Sequence, residues 1–207
     1  MFLKIFINFF LFKYFIINII MIQLLAFDIG TKNMAYCYSI IDDNNNFIIN
    51  KLNKIDLNVN KYSNIQKIID NTIDFLEITI NNDIIINQNE KLIVLIECQM
   101  KSDMKTIQTV INTFFKMIGK YDGYIIETIY LSPKHKLNII NKYSDIIKSS
   151  SYKQNKHDSI FFTKYLLENT YKNNQILDFF NNIKKKDDIS DAFLMCVYYF
   201  ETKNNIF

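Results

Sequence analysis

The chain has 207 residues, 49% of them hydrophobic and 22% charged, with three glycines, one proline, three cysteines, no tryptophan and a net charge of +3. That length and balance fit one globular domain with a sizeable core, and they exclude a disordered, collagen-like or repeat chain. Against 39 isoleucines, 27 asparagines and 24 lysines there is no arginine, a bias spread over the whole sequence that reads as codon pressure in an AT-rich genome rather than as function.

Residues 1–20 are an apolar leader interrupted by Lys4 and Lys13. Its longest uncharged run, Tyr14 to Phe27, falls short of the roughly 18 apolar residues a spanning helix requires. It lacks the small-residue cleavage site of a secretory signal and the Arg and Ser of a transit peptide. Met21 stands just before the first organised strand, so the leader reads either as translated upstream sequence or as a membrane or interface anchor, with the domain itself over 21–207.

Gln23 to Ile29 and Ala35 to Ile41 are apolar runs, the second stopped by the Asp42 to Asn46 turn cluster, and Phe47 to Lys51 resumes the pattern. Three strands joined by tight turns predict an antiparallel meander. Ile65, Ile68, Ile69, Ile73 and Leu76 recur at helical spacing between Tyr62 and Thr79. Lys91 to Glu97 is a continuous β-prone run, as in a strand buried on both faces. Met104 to Ile118 predicts a second helix closed by Gly119 and the Tyr121-Asp122-Gly123 turn; Tyr124 to Leu131 predicts a fifth strand, and helices follow. The order predicts an α/β fold with a mixed five-stranded sheet, three antiparallel strands then parallel additions, and helices on both faces.

The three cysteines, Cys37, Cys98 and Cys196, show no Cys-x-x-Cys or Cys/His spacing, so neither zinc nor a disulfide framework is indicated. They predict a reducing compartment and burial as small hydrophobes. Charge is segregated: residues 21–129 carry −3, residues 130–186 carry +7, and residues 187–207 carry −3. A basic block of this kind suits a polyanion, whose counterions are released as lysines neutralise phosphates, although a lysine-rich solvated surface has the same composition.

Three places hold carboxylates beside core residues: Asp28 in LLAFDIGTKN, Glu97 in IVLIECQ, and Asp188 with Asp191 in KKKDDISDAF. Carboxylates at the ends of apolar strands are costly without compensation, and a divalent cation is one compensation. Asp188 and Asp191 are three apart and share a helix face. Oxygen ligands in this number suit Mg²⁺ or Mn²⁺. Singly, each acid also reads as a turn, edge or capping residue.

Taken together, FDIGTKN (27–33), IECQMK (96–101), LSPKHKLN (131–138), YKQNKHDS (152–159) and KKDDISDAF (185–193) resemble the ribonuclease H superfamily, and within it the RuvC-type Holliday junction resolvases of the poxvirus and mitochondrial branch. The resemblance implies an endonuclease resolving four-way junctions, with Asp28, Glu97, Asp188 and Asp191 holding two Mg²⁺ (Mn²⁺ possible) and Lys185 or Lys186 near the phosphate. It further implies a DNA track including Lys32, Lys101, Lys134, Lys136, Lys153 and Lys156, and a homodimer cutting opposite strands. Asp187 is the adjacent ambiguity, and Met104 to Ile118 is the candidate interface, a stripe that core packing also explains. The implied setting is intracellular, the host cytoplasm for a poxvirus-type protein or a mitochondrion. A nuclease on branched DNA or RNA–DNA hybrids shares every site residue. D-x-G-T also resembles the first strand of sugar kinase, Hsp70 and actin phosphotransferases, though only three glycines stand against the Gly-rich phosphate loops these need. With no arginine, phosphates must be gripped by lysine point charges rather than bidentate forks.

Overall fold

The computed structural model describes residues 21–60, 62–135, 139 and 152–204, with only the backbone described at 152–156 and 204. The leader lies outside the described residues.

Five strands, β1 (Ile22–Asp28), β2 (Met34–Ile41), β3 (Phe47–Ile55), β4 (Lys91–Glu97) and β5 (Ile125–Leu131), form one sheet in the order β3-β2-β1-β4-β5. β1, β2 and β3 are mutually antiparallel, and β4 and β5 are added parallel to β1, as the order of sequence patterns predicts. Helices α1 (Ile65–Asp83) and α2 (Ser102–Tyr121) are the connections before and after β4. After β5 come α3 (Tyr152–Tyr165), a π-helical turn (Leu166–Thr170), α4 (Asn174–Asn182) and α5 (Lys186–Asn204).

The central strands separate two cores. On one face Leu25 and Phe27 of β1 and Leu92, Val94 and Ile96 of β4 pack with α1 and α2; on the other, Leu24, Ala26, Ile93 and Leu95 pack with α3, α4 and α5. Strand alternation sends successive side chains to opposite faces, so a run apolar at every position fits only a sheet covered on both sides. Phe27, Tyr36, Phe75 and Phe115 form a ring cluster in the first core, with the rings of Tyr36 and Phe75 5.9 Å apart. Such pairs add about 0.5–1.5 kcal/mol each beyond their buried area.

Tyr36 also pins the sheet to the end of α1. Its hydroxyl donates to Asp83 and accepts from Asn53 Nδ2 at 3.2 Å, while Lys51 Nζ lies 2.8 Å from Asp83. Burial, reinforced by the Asp83 carboxylate, pushes the Tyr36 phenol well up. Burial alone would raise Asp83, but Lys51 and the Tyr36 hydroxyl outweigh it and hold its carboxyl below the usual range. The stabilisation from Asp83 is therefore complete above the ordinary carboxylate pKa and is lost as pH falls through the lowered value. Tyr36→Phe is expected to lower unfolding free energy by about 1–3 kcal/mol, measured by urea titration, because it removes one partner of a part-buried hydrogen bond.

Some boundaries differ from the sequence reading. β3 continues to Ile55 because a bulge between the Tyr38 and Ser39 pairings leaves Asn50 as an extra residue, shifting the buried positions from Phe47 and Ile49 to Leu52. Strict alternation breaks at that bulge, which is why the period-2 pattern stops at Lys51. α1 begins at Ile65, where the Asn64 side chain accepts from Lys67 N. Gly119 lies inside α2 instead of closing it: a Cβ there would sit 3.3 Å from Ile126 Cβ, so the glycine permits close packing on β5. Cys98 is exposed rather than buried, since the strand ends one residue before it; Cys37 and Cys196 are buried as expected. Among the described residues, no helix is long and apolar enough to cross a membrane.

Candidate active site

Asp28 and Glu97 are the last residues of β1 and β4, one step beyond the paired Phe27 and Ile96 of these parallel neighbours. Counting by twos, Asp28 follows Leu24 and Ala26, and Glu97 follows Ile93 and Leu95, so both carboxylates belong to the α5 side of the sheet. They are 8% and 6% exposed, and each takes part in a hydrogen bond or electrostatic interaction that offsets its burial. Gln99 Nε2 donates to Glu97 Oε2 at 2.6 Å, and Gln99 N donates to Gln108 Oε1 at 2.9 Å, which ties this short turn to α2. Gln99 belongs to the E-x-Q pattern, yet only the structure shows that it orients Glu97. At the β1–β2 turn, a Cβ on Gly30 would lie 2.7 Å from Asn33 O, so a tight turn directly after Asp28 requires glycine there.

The start of α5 is brought to the same end of the sheet by a residue that sequence reasoning missed. Asp28 pairs with Ala35, and Ala35 with Lys54, forming one row across β1, β2 and β3. From that row Lys54 Nζ donates to the carbonyls of Lys184 at 2.7 Å and Lys185 at 3.0 Å, immediately before α5. Further along, Cys196 Sγ donates to Cys37 O at 3.7 Å, and the rings of Phe200 and Phe47 lie 5.2 Å apart near the opposite end of the sheet. These contacts run α5 antiparallel to β1, with its first turn beside Asp28. Lys185 enters the helix at φ 52°, a left-handed backbone that a lysine adopts at a cost of about 1–2 kcal/mol. Asp187, Asp188 and Asp191 are half-buried in the first turns of α5. A lone lysine in a lysine-rich strand carries no sequence signal for the role of Lys54.

The lysines separate by position. Lys185 is exposed, whereas Lys186 Nζ donates to the carbonyls of Asn181 and Ile183 and holds the α4–α5 turn. Lys32 and Lys101 are exposed and line one groove of about 560 Å³, and Lys134 is exposed just after Pro133. Lys153 and Lys156 lie on α3, where only the backbone is described, and Lys136 lies outside the described residues. In α2, Ile107, Ile111 and Phe115 are core residues and Met104, Val110 and Phe114 are partly buried against the same core, while Met117 and Tyr121 are exposed.

The donor set suits a hard divalent cation: carboxylate oxygens only, with no thiolate or imidazole among the four residues. As the side chains stand, no group of three or more His, Cys, Asp or Glu among the described residues is gathered closely enough to hold a metal ion. Facing carboxylates repel, and the close approach needed for coordination depends on a cation to neutralise them.

A mixed sheet of this order, with helices on both faces, is a ribonuclease H-like fold of the kind seen in RuvC. The yeast mitochondrial Holliday junction resolvase Ydc2 superposes with TM-score 0.66 at 16% identity, over 87% of this chain and 80% of that one. The fowlpox virus Holliday junction resolvase superposes with TM-score 0.57 at 20% identity, over 87% and 99% of the two chains. Thermus thermophilus RuvC gives TM-score 0.53 at 7% identity, over 87% and 96%. No curated protein sequence matches. The profile of the poxvirus A22 protein family matches residues 21–203, and the chain belongs to that family.

Proposed function

We propose that this protein is a divalent-metal-dependent, structure-selective endonuclease that resolves four-way DNA junctions. The observation that carries the reading is the convergence of Asp28, Glu97 and the first turns of α5 at one end of the sheet, on one face. Family membership and the shared fold of the two named Holliday junction resolvases support it.

Asp28, Glu97, Asp188 and Asp191 would hold two Mg²⁺, with Mn²⁺ an equivalent hard ion. Ions bound there would lower the pKa of an attacking water and offset charge on the leaving 3′ oxygen. Gln99 holds the Glu97 carboxylate by a hydrogen bond, and Lys54 keeps the start of α5 against the sheet. Lys185, exposed beside Asp188, is the phosphate contact, while Lys186 serves the turn that presents it. Lys32, Lys101, Lys134, Lys136, Lys153 and Lys156 form the DNA track. Lysines bind phosphates as point charges, so selectivity would rest on junction shape and charge rather than base edges. Two copies acting as a homodimer would make the paired cuts, in recombination or in resolving viral genome concatemers, in a host cytoplasm.

The test is cleavage of a labelled synthetic junction by the full chain with and without Mg²⁺, beside duplex, three-way and RNA–DNA hybrid substrates of matched sequence. Paired nicks near the branch point, dependent on the metal, are expected. Equal cutting of duplex and junction would refute the selectivity, and cutting of hybrids alone would move the substrate to RNA–DNA duplexes.

A further inference from the structure

Lys54 fixes the start of α5 from β3, at one edge of the sheet. The helix packs mainly on β1, β2 and β3, the half of the sheet that ends in Asp28. Glu97 belongs to the other half, on β4 beside the edge strand β5. A site assembled from Asp28, Glu97 and α5 therefore needs a second hold on the helix, from the β4–β5 side.

The segment that leaves β5 supplies one. Leu131 ends β5 opposite Glu97, and Cys98 N donates to Leu131 O at 2.8 Å, which carries the β4–β5 pairing one residue past the carboxylate. The chain then turns: Pro133 fixes its own φ, Lys134 N donates to Ser132 Oγ at 3.4 Å, and His135 N donates to Ser132 O at 2.9 Å. This turn delivers His135 onto α5, where its Nδ1 and the Tyr198 hydroxyl form a hydrogen bond of 2.7 Å and the two rings lie 4.8 Å apart. Both residues are half-buried, and Tyr198 packs against the core on the α5 side of the sheet.

Tyr198 follows Asp191 by two helical turns, so the two share a stripe of α5 and stand about 10 Å apart along its axis. The path from Glu97 to Asp191 thus runs through one strand pairing, one short hydrogen-bonded turn, one His–Tyr contact and two turns of helix. Apolar packing is non-directional and tolerates sliding, whereas a hydrogen bond fixes distance and angle. The His135–Tyr198 bond is therefore the directional element in this path.

We infer that His135 and Tyr198 are positioning residues, whose hydrogen bond sets Asp188 and Asp191 at the distance from Glu97 that a shared divalent cation requires. The inference rests on the nuclease reading above and adds to it a latch complementary to Lys54, which holds the same helix toward Asp28.

The test uses the full chain and reads metal binding directly, as loss of the free Mn²⁺ spin-resonance signal without DNA, beside Mg²⁺-dependent cleavage of a labelled four-way junction. Tyr198→Phe removes only the hydroxyl and keeps the ring that packs on the core; His135→Ala removes the imidazole. Each is expected to weaken Mn²⁺ binding, and to raise the Mg²⁺ needed for half-maximal cleavage, by about ten-fold, as when a group that orients a metal ligand is lost. Junction affinity in EDTA should stay within about two-fold of native, because no phosphate contact is lost. His135→Asn, whose amide can stand where Nδ1 does, should recover most of the metal affinity. The double variant Tyr198→Phe/His135→Ala should be no worse than the weaker single one, since the same bond is missing from each. Native metal dependence in both single variants overturns the inference, and with a lowered melting temperature it makes the pair merely structural. A loss of junction affinity in EDTA overturns it too, by making the turn a DNA contact. If the native protein neither binds Mn²⁺ nor cuts any branched substrate, the nuclease reading fails and the latch with it.

Discussion

Asp28→Asn is expected to lower the rate of junction cleavage at saturating Mg²⁺ by about a thousand-fold or more, while junction affinity in EDTA stays within about two-fold of the native value. The magnitude follows from metal catalysis, which contributes several kcal/mol at about 1.4 kcal/mol per tenfold in rate. The split between rate and binding follows from position. Asp28 is 8% exposed at the end of a buried strand, whereas the lysines proposed to meet DNA that have described side chains, Lys32, Lys101 and Lys134, are exposed. Asparagine preserves size and hydrogen bonding but cannot supply the negative oxygen, so the fold should survive, as thermal melting would show. Single-turnover cleavage and gel-shift binding on one preparation decide the matter. A variant with native activity would remove Asp28 from the site.

Lys54→Ala is expected to cost about 10- to 100-fold in single-turnover cleavage without the residue touching substrate. Lys54 Nζ satisfies the carbonyls of Lys184 and Lys185 at the point where the chain turns through a left-handed residue into α5. Removing it releases that turn and loosens Asp188 and Asp191 relative to Asp28. An ångström of misplacement is enough to produce a loss of this size. Two readouts separate positioning from a lost DNA contact. Raising Mg²⁺ should recover part of the rate in Lys54→Ala, because a looser ligand set binds metal more weakly. Junction affinity in EDTA and its salt dependence should remain native, because no phosphate contact is lost. A reduced salt slope with unchanged metal dependence would instead make Lys54 a DNA-binding residue.

Both predictions depend on a row that no local pattern reveals. The run from Leu24 to Phe27 is apolar at every position, and periodicity alone predicts a strand covered on both faces. The same parity argument, extended by one residue, assigns Asp28 and Glu97 to one side, because both follow even-spaced residues of the same core. What it does not provide is the neighbour: β1 and β4 are adjacent only because β4 crosses over to the free edge of β1, past α1. Lys54 shows the same dependence more sharply. The bulge at Asn50 breaks alternation in β3, so a reading by twos ends before reaching the residue that anchors α5. Gln99 was visible as part of a motif, but its hold on Glu97 is a side-chain distance.

The missing arginines, first a matter of composition, gain a consequence in the fold. Lysine cannot fork across two phosphate oxygens, so in the proposed nuclease specificity would come from how several single charges are spaced. Lys32 and Lys101 come from turns 69 residues apart in the chain, and the sheet brings them into one groove.

The sequence by itself determined the order of the five strands and the first two helices, that the sheet is covered on both faces, and which acids end its buried strands, because periodicity and burial cost are local properties of the chain. Only the tertiary structure decided that β1 and β4 are neighbours, that Lys54 holds the start of α5 beside them, that Lys186 is occupied by carbonyls while Lys185 is exposed, and that two distant lysines share one groove. These are long-range contacts, set by strand pairing and a single bulge, and no spacing along the chain encodes them.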